Sequence, residues 1–311
     1  MIPVRSSFLA LLLIVALPVS AGLLRDEFME RPAIPEIGAM ESGSAALPAG
    51  IRVLRDVAYG NDARQAMDVY IPGDAKTAPV IIMVHGGAWF RGDKNSRGVV
   101  ENKAGRWLPK GFIFISVNYR MLPTLDALGQ AQDVARGLAF AQAQAASWGG
   151  DGTKIILMGH SAGAHLVSLL AADPEQAYAL GAIHWLGTIS LDSAALDVVK
   201  VMGSRHMRFY DRAFGSNPAN WRLASPIHVL SNKATPLLAV CSTQRKDHSC
   251  SQARDYVQKS GILDINGGII ELDISHGDIN KRLGLKGPYT EAVEKFMGSL
   301  DAGVKAALTG Q

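Results

Sequence analysis

The clearest pattern along the chain is a series of short apolar runs separated by helical or turn-like stretches. The runs at 80–84 and 112–117 lack the in/out alternation of a half-exposed strand, which predicts parallel strands covered on both faces. Two earlier runs flank the turn-like residues 60–62 and predict an antiparallel hairpin. Strands are predicted at 53–59, 66–71, 80–84, 112–117, 155–158, 182–189, 237–241 and 269–274.

Between these runs the apolar spacing becomes helical. Helices are predicted at 126–147, 164–172, 251–260 and 289–308. Strands that alternate with helices, joined by connections long enough for a crossover, predict an α/β fold. We therefore expect a mostly parallel sheet with helices on both faces and an antiparallel N-terminal hairpin, in one domain at 51–311.

The first 50 residues do not continue this pattern. Arg5 precedes an apolar stretch of about ten residues at 8–17, followed by Pro18 and small residues, which predicts a signal peptide at 1–21. An uncleaved membrane anchor is the alternative, but the stretch is shorter than the roughly 20 residues that a span requires. We therefore expect no stable membrane span after cleavage, and a periplasmic or secreted protein. Residues 22–50 are rich in Ala, Gly, Pro and Ser and predict a leader or linker.

A second irregular stretch, at 191–230, lacks a clean period and carries several aromatic and methionine residues. It predicts either a cap insertion over a functional site or a surface insertion, and the pattern does not separate the two.

Composition and charge limit the functional classes. Nearly half of the 311 residues are hydrophobic, which is typical of a globular protein with a sizeable core. A net charge of +3 with no run of lysine or arginine gives no support for a nucleic-acid partner.

The pentapeptide Gly-His-Ser-Ala-Gly at 159–163 lies between the apolar run at 155–158 and the predicted helix at 164–172. This is the G-x-S-x-G pattern in the order strand, tight turn, helix, in which a strained turn exposes the serine hydroxyl. The context predicts that Ser161 is a catalytic nucleophile.

A serine nucleophile requires a base and a third group that orients the base. His276 follows the last predicted strand, in a loop from which it can reach the serine, and is predicted to be the base. Asp247 is the first carboxylate after the strand at 237–241 and is predicted to be the acid; its competitor Asp255 falls in the next helix. This order, Ser then Asp then His, is that of the α/β-hydrolases.

An oxyanion formed during acyl transfer needs backbone donors. The segment His-Gly-Gly-Ala-Trp at 85–89 directly follows a strand, and its two glycines allow a close approach to a substrate oxygen. We expect Gly86, Gly87 and Ala162 to supply the amides, with His85 supporting the loop.

The chain contains two cysteines, Cys241 and Cys250, which flank the segment that carries Asp247. In an exported protein they predict a disulfide that would hold this segment; two reduced buried thiols are the alternative. No group of His and Cys has the spacing of a zinc site, so we expect no metal.

The chain resembles α/β-hydrolases of the bacterial esterase group related to hormone-sensitive lipase, and in particular the kynurenine formamidase-like enzymes. The resemblance rests on four motifs, found at 67–72, 85–89, 117–120 and 159–166, and extends from about Ile51 to the C-terminus. It implies a Ser-Asp-His triad, an oxyanion hole from the His-Gly-Gly loop and no cofactor. The acid-bearing segment departs from the family pattern, because residues 241–246 intervene before Asp247.

These observations predict a secreted serine carboxylesterase that acts on small acyl esters through an acyl-enzyme. The preference for small acyl groups follows from the resemblance and from the lack of a long apolar lid. An arylformamidase-type amidase is the alternative that the His-Gly-Gly-Ala-Trp motif favours. A binding protein built on the same fold is a third, which an intact Ser161 disfavours.

Overall fold

The computed structural model describes Met1 and residues 47–310. The signal peptide expected at 1–21 and most of the leader expected at 22–50 therefore lie outside the described residues. The strands are β1 (Arg52–Ala58), β2 (Ala66–Ile71), β3 (Ala78–Val84), β4 (Ile113–Val117), β5 (Gly150–His160), β6 (Gly187–Leu191), β7 (Leu237–Ser242) and β8 (Gly267–Leu272).

Twelve α-helices occur among residues 47–310. They are α1 (Arg97–Trp107), α2 (Ala127–Gln144), α3 (Ala162–Ala172), α4 (Glu175–Tyr178), α5 (Val198–Met202), α6 (Arg208–Phe214), α7 (Pro218–Leu223), α8 (Pro226–Val229), α9 (Ser249–Ile262), α10 (His276–Arg282), α11 (Pro288–Leu300) and α12 (Ala302–Thr309).

The eight strands form one sheet in the order β1-β2-β4-β3-β5-β6-β7-β8. The strands from β4 to β8 in this order pair in parallel, whereas β1 with β2 and β2 with β4 are antiparallel. The predicted fold class, a mostly parallel sheet with an antiparallel hairpin, is confirmed. β5 lies near the middle of the sheet, so the residues at its carboxyl end are surrounded by those that follow β3 and β6.

The central strands are buried on both faces, as their unbroken apolar runs predict. In β3, Ile81 and Met83 pack with α1, α11 and α12 on one face of the sheet. Val80 and Ile82, which alternate with them, pack with α2 and α3 on the other face. Because successive side chains of a strand point to opposite faces, one apolar run supplies both halves of the core.

Several predicted elements have different bounds in the structure, and two of them are instructive. The strand predicted at 182–189 is observed as β6 at Gly187–Leu191. It begins later than predicted and ends two residues beyond the predicted carboxyl end. The helix predicted at 289–308 is divided at Asp301, whose side chain accepts a hydrogen bond of 3.0 Å from the amide of Val304 and caps α12. Asp is a strong N-cap residue, so it starts a new helix where the apolar spacing alone suggests continuity.

The irregular stretch at 191–230 contains the four short helices α5 to α8. Three aromatic residues of α6 contact Trp89, which follows the carboxyl end of β3: Phe209, Tyr210 and Phe214. The Trp89 and Phe214 ring centroids are 4.9 Å apart in an edge-on arrangement. The stretch is therefore packed against the loop that carries the two candidate oxyanion glycines.

Candidate active site

Ser161 occupies a strained turn between β5 and α3. Its backbone has φ 55° and ψ −119°, a conformation that a residue with a side chain rarely adopts. The flanking glycines are required sterically, because a Cβ on Gly159 would lie 2.4 Å from the carbonyl oxygen of Gly163. A Cβ on Gly163 would in turn lie 2.3 Å from the oxygen of Val84 in β3. The small residues of the pentapeptide thus allow the turn to sit tightly against the sheet.

The hydroxyl of Ser161 donates a hydrogen bond to His276, with 3.0 Å between Oγ and Nε2. The sequence predicts that His276 lies in a loop, but it is the first residue of α10. The N-cap of this helix is Ser275, whose side chain accepts a hydrogen bond from the amide of Asp278. The cap fixes the first turn of α10 and with it the position of the imidazole.

Asp192, and not Asp247, lies against the other nitrogen of His276. Asp192 Oδ2 is 2.6 Å from His276 Nδ1. The carboxylate of Asp247 instead accepts hydrogen bonds from Arg245, with 2.7 Å between Arg245 Nε and Oδ1. The expected assignment of Asp247 as the orienting acid is therefore corrected, since the carboxylate that contacts the imidazole follows β6 instead of β7.

Three backbone features hold Asp192. Its amide donates to the oxygen of Val240 over 2.7 Å, and its φ of 59° turns the side chain back toward the carboxyl end of β7. There its Oδ1 accepts from the amide of Ser242 over 3.0 Å. Burial alone would raise the pKa of Asp192, but the hydrogen bond from His276 and the charge of Arg245 hold that pKa well below its usual range. Asp192 is therefore ionised in the folded protein at neutral pH.

Arg245 contacts both carboxylates and approaches the imidazole. Its Nη1 donates to the backbone oxygen of Asp192 over 2.8 Å and lies 3.2 Å from Asp192 Oδ2 and 2.9 Å from His276 Nδ1. Nδ1 must carry a proton to donate to Asp192, so this last approach brings two N–H groups together instead of making a hydrogen bond. Nη2 and Nε of Arg245 are both bonded to the carboxylate of Asp247. Sequence reasoning assigned no role to this arginine.

The oxyanion loop begins at His85, directly after β3. A Cβ on Gly86 would lie 2.8 Å from Cβ of Ser161, so the backbone of Gly86 runs alongside the serine. Gly87 has φ 127°, and a Cβ there would lie 1.9 Å from the oxygen of Arg91. Ala162 is the first residue of α3, where backbone N–H groups have no partner within the helix. The backbone of Gly86 and the first residue of α3 thus border the serine on two sides.

The side chain of His85 supports this loop. Its ring stacks on Tyr119 with 4.6 Å between ring centroids, and its Nδ1 donates to the oxygen of Gly86 over 2.8 Å. The hydroxyl of Tyr119 donates to the backbone oxygen of His85 over 3.0 Å. Burial lowers the pKa of His85 to about 4, so the ring is neutral.

His160, the first of the two variable positions of the G-x-S-x-G pattern, lies against the base. The His160 and His276 ring centroids are 4.6 Å apart, and His160 Nε2 donates to the backbone oxygen of His276 over 3.1 Å. Burial, together with the neighbouring His276, holds the pKa of His160 well below its usual range. This hydrogen bond fixes the start of α10.

A second buried histidine joins three parts of the site. His165 in α3 donates through Nε2 to the oxygen of Ala224 over 2.7 Å and accepts at Nδ1 from Trp89 Nε1 over 3.2 Å. It therefore ties the helix after the serine to the oxyanion loop and to the segment that follows α7. Burial lowers the pKa of His165 to about 4.

Cys241 at the end of β7 and Cys250 in α9 form a disulfide, with 5.3 Å between their Cα atoms. The disulfide predicted from the sequence is present. The bond joins the two ends of the segment that carries Arg245 and Asp247.

Within residues 47–310 no group of His, Cys, Asp and Glu has an arrangement that could hold a metal ion. In the same part of the chain, no helix combines the length and apolar character that crossing a bilayer demands.

Comparison with known proteins identifies the family. The family model BD-FAE matches residues 67–259, which include the oxyanion loop, Ser161 and Asp192. Esterase LipC of Mycobacterium tuberculosis is 28% identical over 276 residues, covering 79% of this chain and 65% of LipC. A probable carboxylic ester hydrolase of the same organism, LipM, is 34% identical over 169 residues, covering 50% of this chain and 36% of LipM. The chain thus spans less than two thirds of the length of either relative.

Solved structures agree on the fold. A truncated carbohydrate esterase from gut microbiota superposes with a TM-score of 0.72 at 18% identity, covering 83% of this chain and 99% of that one. Esterase B from Lactobacillus rhamnosis superposes with a TM-score of 0.66 at 20% identity, covering 84% and 89% of the two chains. The sheet order, the strained turn at Ser161 and the extent of the family match all agree. The chain belongs to the BD-FAE family of α/β-hydrolase esterases and lipases.

Proposed function

We propose that this protein is a serine carboxylesterase in which Ser161 is the nucleophile, His276 the general base and Asp192 the residue that orients the base. The observation that carries the proposal is the continuous hydrogen-bonded series from Ser161 Oγ through both nitrogens of His276 to Asp192 Oδ2, with distances of 3.0 Å and 2.6 Å. The esterase relatives support the same reaction class.

Acyl transfer by this series requires an ionised Asp192 and a His276 imidazole that is protonated at Nδ1 alone. The ionised Asp192 accepts the Nδ1 proton, which leaves Nε2 of the neutral imidazole free to accept the proton of the Ser161 hydroxyl. The serine oxygen then attacks the ester carbonyl, and the tetrahedral intermediate places its negative charge on the former carbonyl oxygen. The amides of Gly86, Gly87 and Ala162 are proposed to stabilise this charge, since the backbone of Gly86 runs alongside Ser161 and Ala162 begins α3.

Collapse of this intermediate releases the alcohol, which takes the proton from His276 Nε2, and leaves an acyl group on Ser161. Water then attacks the acyl-enzyme with His276 again acting as base, and the carboxylic acid departs.

We also propose that the substrates carry small acyl groups and that residues 191–230 cap the site. Trp89, Tyr210 and Phe214 pack against one another beside the oxyanion loop and are almost fully buried. The packing of these three rings is the observation on which the proposed preference for short acyl chains rests. The Cys241–Cys250 disulfide supports export to an oxidising compartment, in keeping with the signal peptide predicted at 1–21.

The test is hydrolysis of p-nitrophenyl esters from acetate to decanoate by the wild-type protein and by Ser161→Ala. We expect turnover that is highest with short chains and that falls at least a thousand-fold in the variant. An acetylated sugar and N-formylkynurenine extend the panel to other leaving groups. Turnover of N-formylkynurenine above that of every ester would identify an amidase, and turnover that survives in Ser161→Ala would remove Ser161 from the reaction.

A further inference from the structure

Arg245 bonds to the Asp192 carboxylate in addition to His276, and no step of the proposed reaction uses this arginine. It follows β7, in the segment where an orienting acid was expected, and 14% of its side chain is exposed. A buried guanidinium in contact with the orienting acid needs an explanation, because a positive charge beside the imidazole opposes its protonation.

We propose that Arg245 is a positioning residue that holds Asp192 in place and keeps the resting imidazole of His276 neutral. This proposal rests on the proposed function of Ser161 and His276. Its Nη1 makes two contacts with Asp192, one to the backbone oxygen at 2.8 Å and one to Oδ2 at 3.2 Å. Oδ2 is the atom that accepts from His276, so Arg245 bonds to the same oxygen as the base.

Asp247 holds Arg245 from the opposite side. Its two carboxylate oxygens accept from Nε and Nη2, which leaves Nη1 directed at Asp192. The planar guanidinium can bind two carboxylates at once. Its Nε and Nη2 groups pair with Asp247, while an N–H of Nη1 reaches Asp192. The hydroxyl of Tyr210 donates to Asp247 over 3.4 Å, and the disulfide closes the segment.

The charges around His276 have opposite signs and act in opposite directions. Asp192 and Asp247 favour the imidazolium, and Arg245 opposes it. The neutral ring of His160 lies against that of His276 in a tilted arrangement. Other titratable groups near these residues include Lys103, Tyr210, Asp278 and Tyr289.

This arrangement predicts opposite effects for two substitutions. Arg245→Gln removes the positive charge and should move the acid limb of the kcat/KM profile to higher pH by about one unit. Asp247→Asn removes a negative charge while the contacts of Nη1 with Asp192 remain, and should move the acid limb to lower pH by a smaller amount. Arg245→Lys keeps the charge and should return the limb toward that of the wild type, with kcat still reduced because the fork is lost.

The plateau rates give a second readout. Arg245 does not touch the serine, so Arg245→Gln should lower kcat about ten-fold and leave KM near its wild-type value. Arg254→Gln is the matched control, because Arg254 lies in α9, is exposed and pairs with Glu271. It changes the net charge equally and should shift neither the limb nor the plateau.

The titration of His276 can be followed by nitrogen-15 NMR, with its signals assigned by comparison with His276→Gln. This measurement tests the inference independently of turnover. If the wild type hydrolyses no ester, the proposed function fails while the NMR comparison of Arg245→Gln with Arg254→Gln still tests the electrostatic role. Titration of His276 at higher pH in Arg245→Gln alone would support the inference. Equal titration in the two variants, or upward shifts in both Arg245→Gln and Asp247→Asn, would overturn it and leave the segment a scaffold.

Discussion

Asp192 and His276 meet across 84 positions of sequence with 2.6 Å between carboxylate and imidazole. Asp192 follows β6 and His276 begins α10 after β8, and the two strands are separated in the sheet by β7. The amide of Ser242, the last residue of β7, binds the same carboxylate. The orienting contact is therefore built across three neighbouring strand ends and not within one loop.

The first prediction separates the two aspartates. Asp192→Asn should lower kcat about 10⁴-fold, because the amide cannot accept the Nδ1 proton and the wrong tautomer of His276 results. Asp247→Asn should lower kcat far less, since its carboxylate contacts Arg245 and not the imidazole. Steady-state rates for the two variants at a pH above the acid limb provide the measurement. Equal losses would contradict the placement of the acid after β6.

The second prediction concerns the oxyanion loop. Gly87→Ala should lower kcat by about 10²-fold or more, because its Cβ would collide with the oxygen of Arg91 and displace the donor amides. Gly105→Ala is the matched control: Gly105 lies in α1 with open space around a new Cβ, and alanine there should stabilise the helix slightly. Comparable kcat values for the two variants, with circular dichroism unchanged, would argue against the loop as an oxyanion site.

The third prediction concerns the disulfide. Replacing both Cys241 and Cys250 by serine should lower the free energy of unfolding by about 2–3 kcal/mol, the loop-entropy value for a closure of this size. It should also reduce kcat, because the closed segment carries Arg245. Urea unfolding and ester hydrolysis are measured on the same samples. Unchanged unfolding midpoints would mean that the sheet and α9 hold the segment without the bond.

The fourth prediction concerns acid stability. His85 and His165 are neutral when folded, with pKa values of about 4, against 6.5 in an unfolded chain. Between these values the unfolded state binds more protons, so stability is lost as pH falls from about 6.5 toward 4, by roughly 3 kcal/mol for each group. Urea unfolding at pH 7 and pH 4.5 measures the loss.

His165→Gln provides the control for that loss. A glutamine can still accept from Trp89 and donate to the oxygen of Ala224 without titrating. The variant should therefore show a smaller difference in stability between the two pH values. An equal difference would assign the acid sensitivity to other groups.

The sequence predicts the sheet well because unbroken apolar runs are typical of strands covered on both faces. The runs at 66–71 and 80–84 correspond closely to β2 and β3, and the pentapeptide around Ser161 forms a turn between a strand and a helix. Local patterns suffice there, since the glycines around the serine are needed by contacts within the turn and with the adjoining strand.

Asp192 was not predicted as the orienting acid, and the reason is physical. Asp192 directly follows the apolar residues of β6, which was the signal available, but the predicted strand ended at 189 and the next residues were assigned to an irregular insertion. Its selection over Asp247 depends on two hydrogen bonds, one from the Asp192 amide to the oxygen of Val240 and one from the amide of Ser242 to the Asp192 carboxylate; both are set by strand pairing and not by local sequence. The short polar helix α10 was missed because its seven residues have no apolar period and depend on the cap at Ser275.

The most direct test of the central claim is the site of covalent modification by a fluorophosphonate, located by peptide mass spectrometry on wild-type protein and on His276→Gln. We expect one adduct on Ser161 in the wild type, formed in proportion to the loss of esterase activity, and a large decrease in its rate of formation in the variant. Labelling at another residue with full loss of activity, or equal labelling rates in both proteins, would contradict the assignment of Ser161 as a nucleophile activated by His276.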